Sequence, residues 1–213
     1  MTQPAKPIKF YSMHLSGNAH RVELLLRALD LPFEKIEVNL RAREQKTADF
    51  LAMNPFGQVP VIDDNGTVIW DSVAIMTYLA LTYDDGTLLP RDPKAFGEVM
   101  AWLGKTCGPI AYGVATARRI KVFNAPQDIA PAQQIGQDFL SVVDGVLAQR
   151  PYLVGDNLTL ADLACYSYIA HAPEGGIDLV PFAHITHWLS GIEALPFFTP
   201  MQRSNVGLWA ETA

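Results

Sequence analysis

Among 213 residues there are only two cysteines, Cys107 and Cys165. Two thiols with no short pairing motif supply no disulfide framework and fit a reducing compartment. Positive charge is also scarce: the formal net charge is -6, which argues against non-specific nucleic-acid binding, since that needs a basic surface. No apolar run reaches the ~18 residues of a membrane span, so no membrane partner is expected. The opening MTQPAKPIKF has no apolar signal segment, and a cytoplasmic location is expected. Internal repeats and low-complexity tails are missing as well. So is the G-x-S-x-G elbow of many serine hydrolases, which leaves Ser16 with His14 or His20 a poor hydrolase site. What is present is a 49% hydrophobic, 18% charged chain, enough for one large domain or two small ones around a real core.

Residues 8–13 (IKFYSM) alternate and carry aromatics, which predicts a strand. Over residues 18–29, Val22, Leu25, Leu26 and Leu29 recur at helical spacing. Asp30-Leu31-Pro32 ends that helix, because the residue before proline is pushed out of the helical region. Residues 33–38 (FEKIEV) alternate again, giving a β-α-β start with a parallel pair. Residues 44–53 read as a short helix stopped by Asn54-Pro55. Residues 59–62 and 67–70 are two strands joined by DDNG, whose Asn-Gly is a strong hairpin signal. A helix then runs from Asp71-Ser72 to about Tyr83, with Ile75, Leu79 and Tyr83 on one face. Beyond the turn-rich DDGTLLPRDP no convincing strand follows. Helical patterns cover about 94–122, 130–150, 159–171 and 182–195. The expected architecture is therefore α/β followed by all-α: a βαβαββα domain over residues 1–85, a linker at 86–93, and an all-helical domain over 94–213.

Three short strings carry candidate chemistry. In NPFGQVPV (54–61), Pro60 lies at a strand start, where its missing N–H is tolerated. A cis Val59–Pro60 bond would turn the Val59 N–H and C=O outward, where an extended peptide could pair with them; an ordinary proline turn is the alternative. Asp71-Ser72 opens a helix, whose free N–H groups and positive partial charge suit a carboxylate. Ser72 adds a hydroxyl and Asp71 can pair with an ammonium; a plain helix cap at either residue is the alternative. The third string, LSGN (15–18), sits at a strand-to-helix turn, and Ser16 can be a cap or a reacting hydroxyl.

Taken together, the element order, NPFGQVPV, the WDS helix start and the all-helical second half resemble the cytosolic glutathione transferases, of the serine, theta-like type found in bacteria. The resemblance runs from Ile8 to about Phe198. It implies a thioredoxin-like domain that binds glutathione and a helical domain that supplies much of the electrophile pocket. A cytoplasmic, homodimeric detoxification enzyme is the expectation, with glutathione as co-substrate and no metal or other cofactor.

The resemblance also assigns roles to residues. Val59 would pair its backbone with the cysteinyl part of glutathione, next to Pro60. Asp71 and Ser72 would hold the γ-glutamyl end; many members have Glu where this chain has Asp71. Gln45 and Lys46, with Arg43 as a neighbour, would meet the glycyl carboxylate, although a histidine is frequent where Gln45 stands. A thiol of pKa about 8.5 is mostly protonated at neutral pH, and lowering it by ~2 units takes roughly 2.7 kcal/mol of preferential thiolate stabilisation. A hydroxyl or amide donor in the field of a helix N-terminus is of that order. Ser16 is the first choice for that donor, Ser12 the main rival and Asn18 a second donor, while Tyr11 suits packing. A cysteine-type mechanism is excluded, because no cysteine precedes Cys107.

For a small hydrophobic electrophile, Tyr112 could stack on an aromatic and Arg118 or Arg119 could stabilise developing negative charge, against a plain reading as core tyrosine and surface arginines. Thr159-Leu160-Ala161-Asp162 is a capping box with a structural role. Cys165 reads as a buried small hydrophobe and Cys107 has no activating partner. His184 and His187 have metal-like spacing but no third ligand nearby. Conjugation of the thiolate to an electrophile is the main functional expectation. Glutathione-dependent peroxide reduction or another specialised conversion at the same thiolate, and non-catalytic ligand binding, are the alternatives.

Overall fold

The computed structural model describes residues 3–210. They form two compact units: one runs through Leu89 and includes Phe197–Met201, and the other runs from Pro90 to Pro196 and on from Gln202. The return of Phe197–Met201 to the first unit is not visible in the sequence, where those residues follow on from helical patterns. His20 supplies part of the reason, since its buried Nε2 meets the Thr199 carbonyl at 2.8 Å.

The first unit is thioredoxin-like. Its elements are β1 (Ile8–Ser12), α1 (Gly17–Ala28), β2 (Phe33–Glu37), α2 (Ala48–Met53), β3 (Val61–Asp64), β4 (Thr67–Trp70) and α3 (Ser72–Tyr83). The sheet order is β2-β1-β3-β4, with β1 parallel to β2 and the other pairs antiparallel. Alternation along β1 splits the core in two. Ile8 and Phe10 are fully buried on one face, while Tyr11 on the other meets Phe50 of α2 edge-on, with ring centroids 6.3 Å apart. Val38, Phe50 and Val61 form the centre of that second cluster, and Val59 packs against it. The apolar stripes predicted for the two long helices, Val22, Leu25 and Leu26 on α1 with Leu29 at its C-cap, and Ile75, Leu79 and Tyr83 on α3, are all buried.

Two predicted elements of this unit are corrected. The expected helix over 44–53 is a 3-10 turn, Glu44–Lys46, and then α2, separated by Thr47. Thr47 is extended and caps α2 by accepting from the Phe50 N–H, which is what a threonine ahead of an apolar turn does. The strand expected over 59–62 begins instead at Val61 and continues to Asp64, leaving Asn65-Gly66 as a two-residue turn. Both turn residues have positive φ, 53° and 99°, as a tight hairpin requires.

The second unit contains α4 (Pro93–Lys105), α5 (Ala115–Phe123), α6 (Ala130–Leu147), α7 (Leu160–Ala170) and α8 (Ala183–Glu193). The single helix predicted over 94–122 is overturned: a π-helical stretch, Thr106–Val114, separates α4 from α5, and Gly108 within it leaves helical geometry altogether. Pro109 is the cause, since it disfavours the helical region for the residue before it and removes a backbone donor. The capping box at the start of α7 is present, with the Thr159 N–H donating to Asp162 Oδ2 at 2.9 Å. Asp162 Oδ1 also accepts from the Leu153 N–H and from Trp188 Nε1, so one buried carboxylate joins the loop before α7 to α8. No helix among the described residues is long and apolar enough to cross a membrane.

Candidate active site

Strand register sets the site. Tyr11 of β1 pairs with Val61 of β3, which pairs in turn with Trp70 of β4. Ser12 follows Tyr11, Pro60 precedes Val61 and Asp71 follows Trp70, so the register places all three at one end of the sheet. The head of α1 follows Ser12 at that same end.

The Val59–Pro60 bond is cis. Val59 precedes β3, is half-buried by its packing on the α2 cluster, and among the described residues neither its N–H nor its C=O has a hydrogen-bond partner. The loop in front of it is held by Asn54, whose side chain donates to the Gln58 carbonyl at 2.8 Å and accepts from the Phe56 N–H at 3.0 Å. Gly57 has φ +58°, and a Cβ there would stand 2.6 Å from both the Gln45 carbonyl oxygen and Lys46 Nζ. Only glycine fits that bend without displacing the 3-10 turn.

Asp71 has φ 70° and ψ 128°, outside the usual regions for a side-chain-bearing residue. Its Oδ1 accepts from the Val73 N–H at 2.9 Å and the Ala74 N–H at 3.1 Å. It is thus the cap of α3, and one exposed carboxylate edge still faces outward. Ser72 beside it is buried at the first helical position. Residues held in such sparsely populated backbone regions cluster at functional sites, although Asn65 adopts a positive φ for its hairpin alone.

Ser16 is the cap of α1, half-buried, with its Oγ 3.2 Å from the Ala19 N–H. That contact uses an acceptor lone pair, and a hydroxyl keeps its single proton for another partner. Capping and proton donation are compatible in this residue. Ser12, 2% exposed, lies on the same face of β1 as Ile8 and Phe10. Asn18 is half-buried in the first turn of α1, and its Oδ1 accepts from Arg21 Nη2 at 2.7 Å. The sequence pattern does not single out Arg21, although the Asn-x-x-Arg spacing that allows the bond is plain there.

Gln45 is half-buried with its Nε2 3.4 Å from the Leu40 carbonyl, and Lys46 donates to the Phe56 carbonyl at 2.9 Å. Lys46 retains two further N–H groups. Arg43 is exposed, at φ 61°.

Tyr112, Arg118 and Arg119 belong to the second unit. Tyr112 is 68% exposed. Arg119 is exposed and donates to Gln127 Oε1 at 3.2 Å. Arg118 is buried and ion-paired with Glu174, whose other carboxylate oxygen accepts from the Ser204 N–H. Cys165 is buried and Cys107 exposed. Among the described residues no group of three or more His, Cys, Asp or Glu could hold a metal, His184 and His187 included.

A thioredoxin-like unit with a cis-proline and an acidic helix start at one sheet end, joined in sequence to a helical unit, defines a class of glutathione-using proteins. Comparison with known proteins makes this specific. The family model for the glutathione S-transferase N-terminal domain matches residues 6–81, and that for the C-terminal domain matches 127–196. A glutathione S-transferase of Zea mays is 34% identical, with 90% of this chain and 91% of that protein covered. A maleylacetoacetate isomerase of Mus musculus is 29% identical over 92% of each. Among solved structures, a glutathione S-transferase from Pseudomonas fluorescens superposes with a TM-score of 0.87 at 32% identity, covering 93% of this chain and all of that one. The chain belongs to the glutathione S-transferase family, whose co-substrate is glutathione.

Proposed function

We propose that the protein binds glutathione at this sheet end, holds its thiol as thiolate and conjugates it to a small hydrophobic electrophile in the cytoplasm. The observation that carries the reading is the row Ser12, Pro60, Asp71, which gathers three kinds of contact at one edge. Val59 offers an unpaired N–H and C=O to the cysteinyl backbone by strand addition. The carboxylate edge of Asp71 pairs with the γ-glutamyl ammonium, while Ser72 and the head of α3 receive the γ-glutamyl carboxylate. Gln45 and Lys46 take the glycyl carboxylate.

Ser16 donates its hydroxyl proton to the sulfur and Asn18 adds an amide donor. Ser12 is the rival, but its burial on the packed face of β1 favours Ser16. On binding, the thiol proton leaves to solvent. The thiolate then attacks the electrophilic carbon, forming C–S as the bond to the leaving group breaks, and that group departs with the electron pair. Orientation and thiolate supply give the rate. Arg118, committed to Glu174, stays with the fold of its unit.

A homodimer is part of the proposal. Phe56, 61% exposed, packs at a tilt against the exposed Trp70 with centroids 5.2 Å apart. Elsewhere, Trp102, Pro109, Ile135, Phe139 and Val142 line an apolar cavity of about 510 Å³. Exposed apolar surface of this kind marks association.

The similarity to a maleylacetoacetate isomerase supports a second reading, a glutathione-dependent isomerisation at the same thiolate. Steady-state conjugation with an activated halonitroaromatic tests the main reading. Ser16→Ala is expected to lower kcat/KM at least tenfold and Ser12→Ala much less. No conjugation by wild type with any of a panel of electrophiles, with glutathione still bound, would leave a binding protein instead.

A further inference from the structure

We propose that Arg21 is a positioning residue: it sets the Asn18 carboxamide so that the N–H2 end, not the oxygen, is the end offered at the head of α1. The proposal rests on the thiolate reading above. Asn18 stands in the first turn of α1, two residues after Ser16. A carboxamide has one donating and one accepting end, and rotation by half a turn exchanges them at little cost. Near a thiolate the two are opposite in effect: the N–H2 stabilises the charge and the oxygen repels it.

The chemistry of the partner decides between them. A guanidinium has five N–H donors and no acceptor, so the Asn18 atom 2.7 Å from Arg21 Nη2 is the oxygen. The N–H2 is then left for another acceptor. Arg21 can hold this choice firmly because it is 2% exposed and ranks among the largest fully buried side chains, so its rotamer is fixed by packing. Neighbouring charges of α1 are engaged elsewhere. Glu23 is bound by Arg27 and Lys35, and His20 by the Thr199 carbonyl. Lysine would keep the charge at position 21 but not the planar fork that meets Asn18 at that distance.

The test is the pH profile of kcat for conjugation across wild type, Asn18→Ala, Arg21→Lys and the double variant, with thermal melts alongside. The acid limb reports ionisation of the bound thiol. Asn18→Ala is expected to move it up by about one pH unit, Arg21→Lys by a similar amount, and the double variant no further than Asn18→Ala alone. Asn18→Asp provides a check that does not depend on altering Arg21. It keeps an oxygen on the guanidinium and replaces N–H2 by a second oxygen, so the melt should hold while the limb rises at least as far as in Asn18→Ala. Additive shifts in the double variant, or an unmoved limb in Asn18→Asp, overturn the positioning role and leave the transferase reading standing. A wild-type profile with no thiolate limb overturns both.

Discussion

Tyr83 of α3 donates its phenol to Asp64 Oδ2 at 2.5 Å, and Tyr78, from the same helix, donates to the same oxygen at 2.8 Å. One carboxylate at the end of β3 thus anchors the helix whose first residues are proposed to receive the γ-glutamyl group. Burial first, and then the Asp64 carboxylate, push both phenols above their ordinary pKa. A group whose pKa is raised on folding stabilises the protein fully below its unfolded value, here about 10, and that contribution is lost as pH climbs beyond it. Tyr83→Phe should cost about 1–2 kcal/mol in urea denaturation at neutral pH, with the difference from wild type shrinking above pH 10.

Glu23 behaves in the opposite sense. Burial opposes its charge, but hydrogen bonds from Lys35 and Arg27, aided by their charges, outweigh burial and hold the carboxyl below its usual value. A lowered pKa gives stability that is present above the unfolded value of about 4.3 and is lost as pH falls through the folded one. Both partners are partly solvated, so Glu23→Gln should cost about 1 kcal/mol at pH 7. In denaturation series the difference between the two proteins should shrink as pH falls below about 4.3.

Gly57→Ala should be costly for backbone reasons. The added methyl would meet the Gln45 carbonyl at 2.6 Å, in a residue already at φ +58°. A loss of about 2 kcal/mol or more is expected in chemical denaturation. Weaker glutathione binding by isothermal calorimetry should accompany it, because this turn leads directly to Val59.

Asp71 serves as cap and proposed ammonium partner, and two substitutions separate these uses. Asn tolerates positive φ and caps as well as Asp, so Asp71→Asn should leave the melting temperature within a few degrees while raising KM for glutathione about tenfold. Asp71→Ala should lose both, with about 1 kcal/mol of stability gone as well.

The helices α1 and α3 were legible in the sequence because their apolar residues repeat every turn and each begins at a capping residue. The fold class followed from those helices and from the Asn65-Gly66 hairpin. Pro109 is equally visible, yet the apolar pattern continues on both sides of it and masks the break at Gly108. At Thr47 the hydroxyl competed with a good helical pattern and won by capping. The row Ser12, Pro60, Asp71 could not be read from the chain, because pairing between β1 and β3 spans some fifty residues and depends on tertiary packing. Arg21 was hidden for a related reason: a charged residue on an apolar helix reads as exposed, and only packing reveals it as buried.

The central claim is that the head of α1 stabilises the glutathione thiolate, and titrating that thiolate by its ultraviolet absorbance in the binary complex tests it most directly. A bound thiol roughly two units below its free value of about 8.5 is expected, with most of that shift lost in Ser16→Ala while glutathione remains bound. A bound thiol that titrates at its free value in the wild-type protein would contradict it.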